Sequence, residues 1–325
     1  MTLPPPFAED LVLDRPLEPA PSLTLDEGVA ASYLAITGDP LPLALSAPLS
    51  RAVTGQEARL ANPALVFSVA IGQSTVATRR VIANLNYRDV VLARQVHLGE
   101  TISTTVRPVA AEWTSSRAER AKVLLDISVR TDGGDDVAHF QRLALLPVFN
   151  PDAFVERAVP ALPEQPGLES FLGAVPAWNG AAHSSRFSLT VGASFTDALC
   201  DTVSSARELV RLTLNVAAAH RDARAGIEGV RLAYGGHTVA LGQASLSRGI
   251  EGLLTVVAWR SCDHLGPVFE NDLLQTTTTI LAVHPAGAGL ALVDARVTVA
   301  ALRSGVTSEV LDWRPVLLVA TAEGA

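Results

Sequence analysis

In the stretch VRLTLNVAAAHRDAR, residues 210 to 224, one histidine, His220, follows one amide, Asn215, by five positions. Histidine takes up and releases a proton near neutral pH; an amide can hold a water molecule by hydrogen bonds but cannot act as a base. On an unbroken helix, at roughly 100° per residue, a spacing of five turns two side chains about 140° apart. If Asn215 and His220 act together, the helix must end or bend between them. The plainer alternative is a histidine near a helix end, solvated beside Arg221 and Asp222. Downstream, the tetrapeptide Tyr234-Gly235-Gly236-His237 reads as a loop-to-helix turn whose glycines permit positive φ, with His237 in the first helical turn. Asp39 in TGDP and His264 in SCDHLGPVF read as turn residues.

The elements that carry these residues follow from patterning. The run from about Ser204 is rich in helix formers and should be helical, with Leu209, Leu212, Val216 and the alanines on its buried side. Long alternating runs come late in each half of the chain. ETISTTVRPVAA, AKVLLDISVRT and VAHFQRLALLP follow one another in the first half, and LLTVVAWRSC, DLLQTTTTILAV, GLALVDARVTVAAL and VLDWRPVLLVA in the second. Turn residues such as Asp132, Gly133 and Gly134 between them mean hairpins, hence antiparallel sheet. Strands do not alternate with helices, which argues against a Rossmann-type sheet. Residues 147 to 180 hold six prolines and read as a linker over the surface. The expected organisation is a first unit over 1–147, a linker over 148–180 and a second unit over 181–325. The halves echo each other: VAIGQSTV at 69 to 76 answers VALGQASL at 239 to 246, and LGETISTTVRPV at 98 to 109 answers ENDLLQTTTTIL at 270 to 281. The near-equal offsets indicate a duplicated α+β unit, each a central helix packed on an antiparallel sheet.

Composition narrows the function. The chain has 325 residues, 48% hydrophobic and 18% charged, enough for two packed cores. A net charge of -8 argues against nucleic acid as a partner. Lys122 is the only lysine among many arginines, whose forked donors suit phosphate or carboxylate, so a compact anionic ligand remains compatible. Cys200 and Cys262 have no metal or disulfide spacing and fit a reducing cytoplasm. MTLPPPFAED lacks a secretory pattern, and no apolar run approaches the ~20 residues that span a bilayer. The serine-hydrolase, zincin, P-loop and dinucleotide signatures are missing, and no metal is expected.

ANLNYRDVVLARQVHLGETISTTVRPV, at 83 to 109, and GPVFENDLLQTTTTI, at 266 to 280, resemble the MaoC-type acyl-CoA dehydratases and R-specific enoyl-CoA hydratases. The second keeps Pro267, Val268 and Asp272 of the family's turn, with Asn271 where a glycine is usual. The arrangement is most similar to double hot-dog members such as the mesaconyl-CoA hydratase and β-methylmalyl-CoA dehydratase group. That resemblance implies two tandem hot-dog domains and hydration or dehydration of an acyl-CoA thioester. CoA enters only as part of the substrate, with no separate cofactor.

The family's hydratase signature is Asp, Asn at +2, Pro at +3 and His at +5. In the first half Asp39 and Pro42 match, while Leu41 and Ala44 replace the asparagine and histidine. In the second half His220 falls on the histidine, Asn215 on the aspartate, and Ala217 and Ala218 on Asn and Pro. Gly236 falls on a downstream glycine whose N–H, at a helix N-terminus, faces the developing charge on the thioester oxygen. The resemblance therefore implies a degenerate first site and a working second one: His220 as general base and acid, Asn215 positioning water, and Gly236, Gly235, Tyr234 and His237 lining the substrate. Arg221, Arg224 and Arg231 lie near the motif as candidates for the CoA phosphates. A non-catalytic acyl-CoA-binding protein and an acyl-CoA thioesterase are the alternatives. Membrane association is not expected, and a homodimer of the two-in-one chain is compatible with this reading.

Overall fold

The computed structural model describes residues 6–115, 117–162, 165–183 and 190–321. Residues 1–5 of the amino-terminal stretch read as lacking a secretory signal, 163–164 of the linker and 184–189 at the start of the second unit lie outside them.

Eleven strands form one antiparallel sheet. They are β1 (Leu23–Thr24), β2 (Ala83–Leu92), β3 (Thr101–Thr114), β4 (Arg117–Thr131), β5 (Asp136–Pro147), β6 (Ser194–Thr196), β7 (Asp201–Thr202), β8 (Leu253–His264), β9 (Leu273–Gly287), β10 (Leu290–Arg303) and β11 (Val306–Ala320). The order is β1-β3-β4-β5-β2-β8-β11-β10-β9-β6, with β7 on β9, so the 3-4-5-2 order of the first half is mirrored by 8-11-10-9 in the second. The halves join where β2 pairs β8, from Asn86 opposite Asp263 to Val91 opposite Ala258. Tight turns close the hairpins; Ser304 and Gly305, at φ 49° and 79°, make a two-residue turn of the kind that matches strand twist.

The helices are α1 (Glu27–Thr37), α2 (Pro42–Leu45), α3 (Ala47–Thr54), α4 (Pro63–Ser74), α5 (Ala206–Leu212), α6 (Ala218–Arg221) and α7 (Gly235–Gly249). The two long central ones, α4 and α7, pack against each other and against the sheet. Every residue of α4 is buried, as are Gly236 to Leu246 of α7. Trp259 stacks near Phe67 of α4 at 4.4 Å and meets Trp313 edge-on, which ties helix to sheet across the halves.

The duplication is visible in backbone detail. Gly99 and Asn271, matched in sequence, both adopt left-handed φ, 96° and 71°. Asparagine is among the few residues that tolerate this conformation, which is why it can replace the glycine. Three expectations are revised. The run from Ser204 is not one helix: α5 stops at Leu212, Leu214 takes φ 56°, and His220 lies in the separate short helix α6. The proline-rich segment is more than a surface linker, because Leu168, Phe171 and Trp178 are buried against Leu254, Val257, Leu292, Val316 and Leu318. Those strand residues alternate with the ones facing the helices, so the segment covers an apolar second face that would otherwise meet water. His264 is the last residue of β8 and not part of a turn.

Candidate active site

Between the halves lies a cavity of about 350 Å³. One wall is the start of β2 with Tyr87 and Arg142 of β5; the other holds Ala219 and His220 of α6, Leu232 to Gly235, Thr238, and His264 to Val268.

His220 is delivered by a bend that is pinned at each step. Asn215 accepts from the Ala217 N–H at 2.9 Å through Oδ1, Val216 N–H donates to Thr75 Oγ1 at 2.8 Å, and Ala218 N–H donates to the Arg79 carbonyl at 2.9 Å. Leu232 N–H then bonds the Ala219 carbonyl at 3.0 Å, tying α6 to the strand-like approach to α7. The His220 ring sits with Nδ1 3.3 Å from the Leu232 carbonyl. A carbonyl only accepts, so Nδ1 carries the proton and Nε2 is left with its lone pair. The ring is half-buried, and Tyr234 lies 5.7 Å from it between centroids.

His264 shares this cavity. Its ring stands against Gly235 and 5.8 Å from Tyr87, and its Nε2 has no hydrogen-bond partner. Both histidines are held neutral at pH 7. For His220, burial pushes the pKa down to about 4 against the bond to Leu232, and the Arg142 cation adds to the shift. For His264, burial is again first, followed by Arg142 and His220 itself, to about 4.

The glycines of Tyr234-Gly235-Gly236-His237 do not adopt positive φ, contrary to the turn expected. Close approach requires them instead. A Cβ on Gly235 would fall 2.8 Å from His264 Cε1, and one on Gly236 would fall 2.6 Å from the Tyr234 ring. Tyr234 folds back over α7 and donates its hydroxyl to the Ser68 carbonyl of α4 at 2.9 Å, so this group is occupied. Gly235 and Gly236 open α7, and their N–H groups have no partner among the described residues. The positive end of a 15-residue helix therefore faces the cavity region beside the two imidazoles.

Of the predicted residues, the structure brings together His220, Tyr234 and Gly235, with Gly236 directly behind. It does not bring Asn215 or His237 to the cavity wall. Asn215 is fully buried and spends its oxygen on the bend. His237 is also fully buried, with neither ring nitrogen partnered. Arg224 pairs with Asp222 and Arg231 with Glu270. Four polar cavity residues were missed, Asn84, Tyr87, Arg142 and Thr238. A signal existed for Arg142: in VAHFQRLALL it falls in phase with buried Ala138, Phe140, Ala144 and Leu146.

The first half repeats the turn that precedes His220. Asp39 accepts from Leu41 N–H at 3.0 Å, the same turn that Asn215 makes with Ala217. Its other oxygen accepts from Asn62 at 2.7 Å and from Gln243 of α7 at 2.8 Å. The carboxylate is thus engaged in holding the halves together, and Ala44 occupies the position that matches His220 by spacing.

Among the described residues no three histidine, cysteine or acidic side chains group to hold a metal, and no helix is long and apolar enough to cross a membrane. No protein-family model matches the chain. It is 26% identical over 291 residues to the β-methylmalyl-CoA dehydratase of Chloroflexus aurantiacus, covering 85% of this chain and 82% of the relative. A solved Mycobacterium tuberculosis protein, a conserved hypothetical protein described as having a double hot-dog fold, is 36% identical with a TM-score of 0.82, over 96% of this chain and 98% of that one. A putative MaoC-domain dehydratase from Chloroflexus aurantiacus superposes with a TM-score of 0.89 at 24% identity, over 99% of each chain. The duplicated helix-on-sheet architecture and these full-length similarities agree: the chain belongs to the double hot-dog proteins and is similar along its length to MaoC-type dehydratases.

Proposed function

We propose that the protein hydrates a 2-enoyl-CoA thioester, or dehydrates the corresponding 3-hydroxyacyl-CoA, in the cavity at His220. The observation that carries this reading is His220 Nε2, fixed as an acceptor by the Leu232 carbonyl, beside the unpartnered N–H groups that open α7. In the hydration direction Nε2 takes a proton from water as the oxygen bonds to Cβ. The displaced electron pair moves to the thioester oxygen, where the Gly235 and Gly236 N–H groups receive it. The imidazolium then returns its proton to Cα, so the site ends as it began. Asn215 acts at one remove, by holding the bend that aims His220. The second contact to the water falls to His264, which shares the cavity with His220.

The name of the Chloroflexus relative, a dehydratase of a CoA thioester, supports the same chemistry. The first half supplies the opposite wall through β2 and β5, and a cytoplasmic location and pairing into homodimers go with this reading. Against a carboxylate-driven thioesterase, no acidic side chain lines the cavity among the described residues. The test is to incubate the protein at high concentration with crotonyl-CoA and fumaryl-CoA while following enoyl absorbance and free thiol together. Loss of absorbance without thiol supports the proposal. Thiol release points to a thioesterase, and tight binding without turnover points to a carrier.

A further inference from the structure

Arg142 gives the cavity a fixed positive charge to which the steps above assign no task. It is 3% exposed, and its bonds go to neutral groups: Nε donates to Asn84 Oδ1 at 2.6 Å and Nη1 to Ser74 Oγ at 3.0 Å. It forms no ion pair among the described residues, so these bonds fix the guanidinium without cancelling it. A cation buried this deeply is ordinarily paired. The groups around the two imidazoles supply no counter-charge. Asp222, close to His220 in sequence, pairs with Arg224, and Glu270 pairs with Arg231. Asp263, next to His264 in β8, lies near Asp312 and Arg88. Arg221 is exposed, and Arg79 meets α6 through its carbonyl oxygen. The Tyr87 and Tyr234 hydroxyls and the Cys262 thiol are neutral, each pushed up by burial. Among the described residues Arg142 is therefore the one charge that lines the cavity.

We propose that Arg142 is a positioning residue of this site: its uncompensated guanidinium bars a second positive charge from the cavity and so reserves His220 and His264 as proton acceptors. The catalytic consequence rests on the hydratase reading; the electrostatic part rests on the buried guanidinium and stands without it. Charge counting separates idle protonation from useful proton transfer. A proton taken from bulk solvent raises the cavity from one positive charge to two, in surroundings where like charges repel more strongly than in water. In the hydration step the proton comes from a water already inside. Its oxygen bonds to Cβ and the electron pair of the double bond moves to the thioester oxygen as His220 Nε2 gains the proton, so the net charge stays at one. The guanidinium penalises the first event and not the second, and it attracts the enolate that the second creates. Both imidazoles feel the same field: after burial, which is the larger cause, Arg142 pushes His220 and His264 further below their ordinary value. The first half, with Ala44 at the position matching His220, thereby acts on the chemistry through β5.

The test is an NMR titration of the full chain with ¹³C-labelled histidine, the two signals being assigned through His220→Asn and His264→Asn. In the wild type both rings should stay neutral from about pH 8 to about pH 5. Arg142→Met should raise both midpoints by about one unit, the size of a nearby charge's effect. The acid limb of kcat/KM for crotonyl-CoA, whose acyl group is uncharged, should move up by the same interval. Arg142→Lys keeps the charge and should hold both midpoints near those of the wild type. An arginine that only props the fold would change stability and leave the midpoints in place. Unmoved midpoints in Arg142→Met overturn the proposal, and so does a wild type whose two rings titrate near the ordinary 6.5. Raised midpoints in a protein that hydrates no thioester uphold the charge's role while the hydratase reading fails. If Arg142→Met does not fold, Arg142→Gln, which can still donate to Asn84 but carries no charge, is read by the same midpoints.

Discussion

Acidification from pH 7 to pH 5 should weaken the folded state through its buried neutral histidines, and His237 gives the clearest case. Its ring is fully buried with both nitrogens unpartnered, and burial lowers its pKa from 6.5 to about 4. In the unfolded chain it protonates near its ordinary value, while in the fold it stays neutral. Between these values the unfolded state binds more protons, so stability is full above pH 6.5, falls as the pH drops, and levels off below about 4. At roughly 1.4 kcal/mol per pKa unit, the move from pH 7 to pH 5 costs about 2 kcal/mol from this one residue. His220 and His264 shift the same way but keep surface on the cavity, so they add less than the same amount each. Urea unfolding at pH 7, 6 and 5 should show a falling midpoint, and His237→Leu should remove about 2 kcal/mol of that fall. A wild-type midpoint that is unchanged or higher at pH 5, or a His237→Leu protein with the same pH slope, would refute the assignment.

Other expectations follow from the same geometry. His220→Ala should lower hydration by roughly 10²- to 10⁴-fold while leaving thermal stability nearly intact, because the ring's one bond to protein is long; equal rates would remove His220 from the chemistry. Gly235→Ala places a Cβ 2.8 Å from His264 and must displace that ring, so activity should fall by about tenfold or more; full activity would mean that His264 is not needed where it stands. Asn215→Ala should cost about 1 kcal/mol by removing the acceptor for the Ala217 N–H, with kcat affected only through the aim of His220. Asp39→Ala should act on stability and not on specificity, since it strands the buried Asn62 amide and removes one of the two acceptors of the Gln243 amide, at about 1–3 kcal/mol; melting temperature and the fumaryl-to-crotonyl ratio separate the two.

Local signals carried much of the fold. The alternating runs and glycine turns marked the hairpins, and the matched offsets of Gly72 with Gly242 and Gly99 with Asn271 marked the duplication, because these depend on neighbours in the chain. Long-range pairing is what local signals do not encode. The β2–β8 register swings the end of β8 over the cavity, and it alone turns His264 from a turn residue into a cavity residue. The same pairing sets β2 and Asn84 opposite α6. Asn215 was found by its spacing from His220, but its task was misread, since sequence does not show whether an amide faces a cavity or the adjacent backbone. The proline-rich segment hid its role because its buried Leu168, Phe171 and Trp178 have no period and answer only to the sheet face they cover.

The central claim is that water's oxygen ends on the acyl chain. Incubation with fumaryl-CoA in ¹⁸O-labelled water, followed by mass spectrometry of the intact thioester, tests it most directly. The account predicts label in the C3 hydroxyl of a 3-hydroxyacyl-CoA made by the wild type, and none in the same time with His220→Ala. Label in a released carboxylic acid, or an unlabelled thioester at high enzyme concentration, would contradict it.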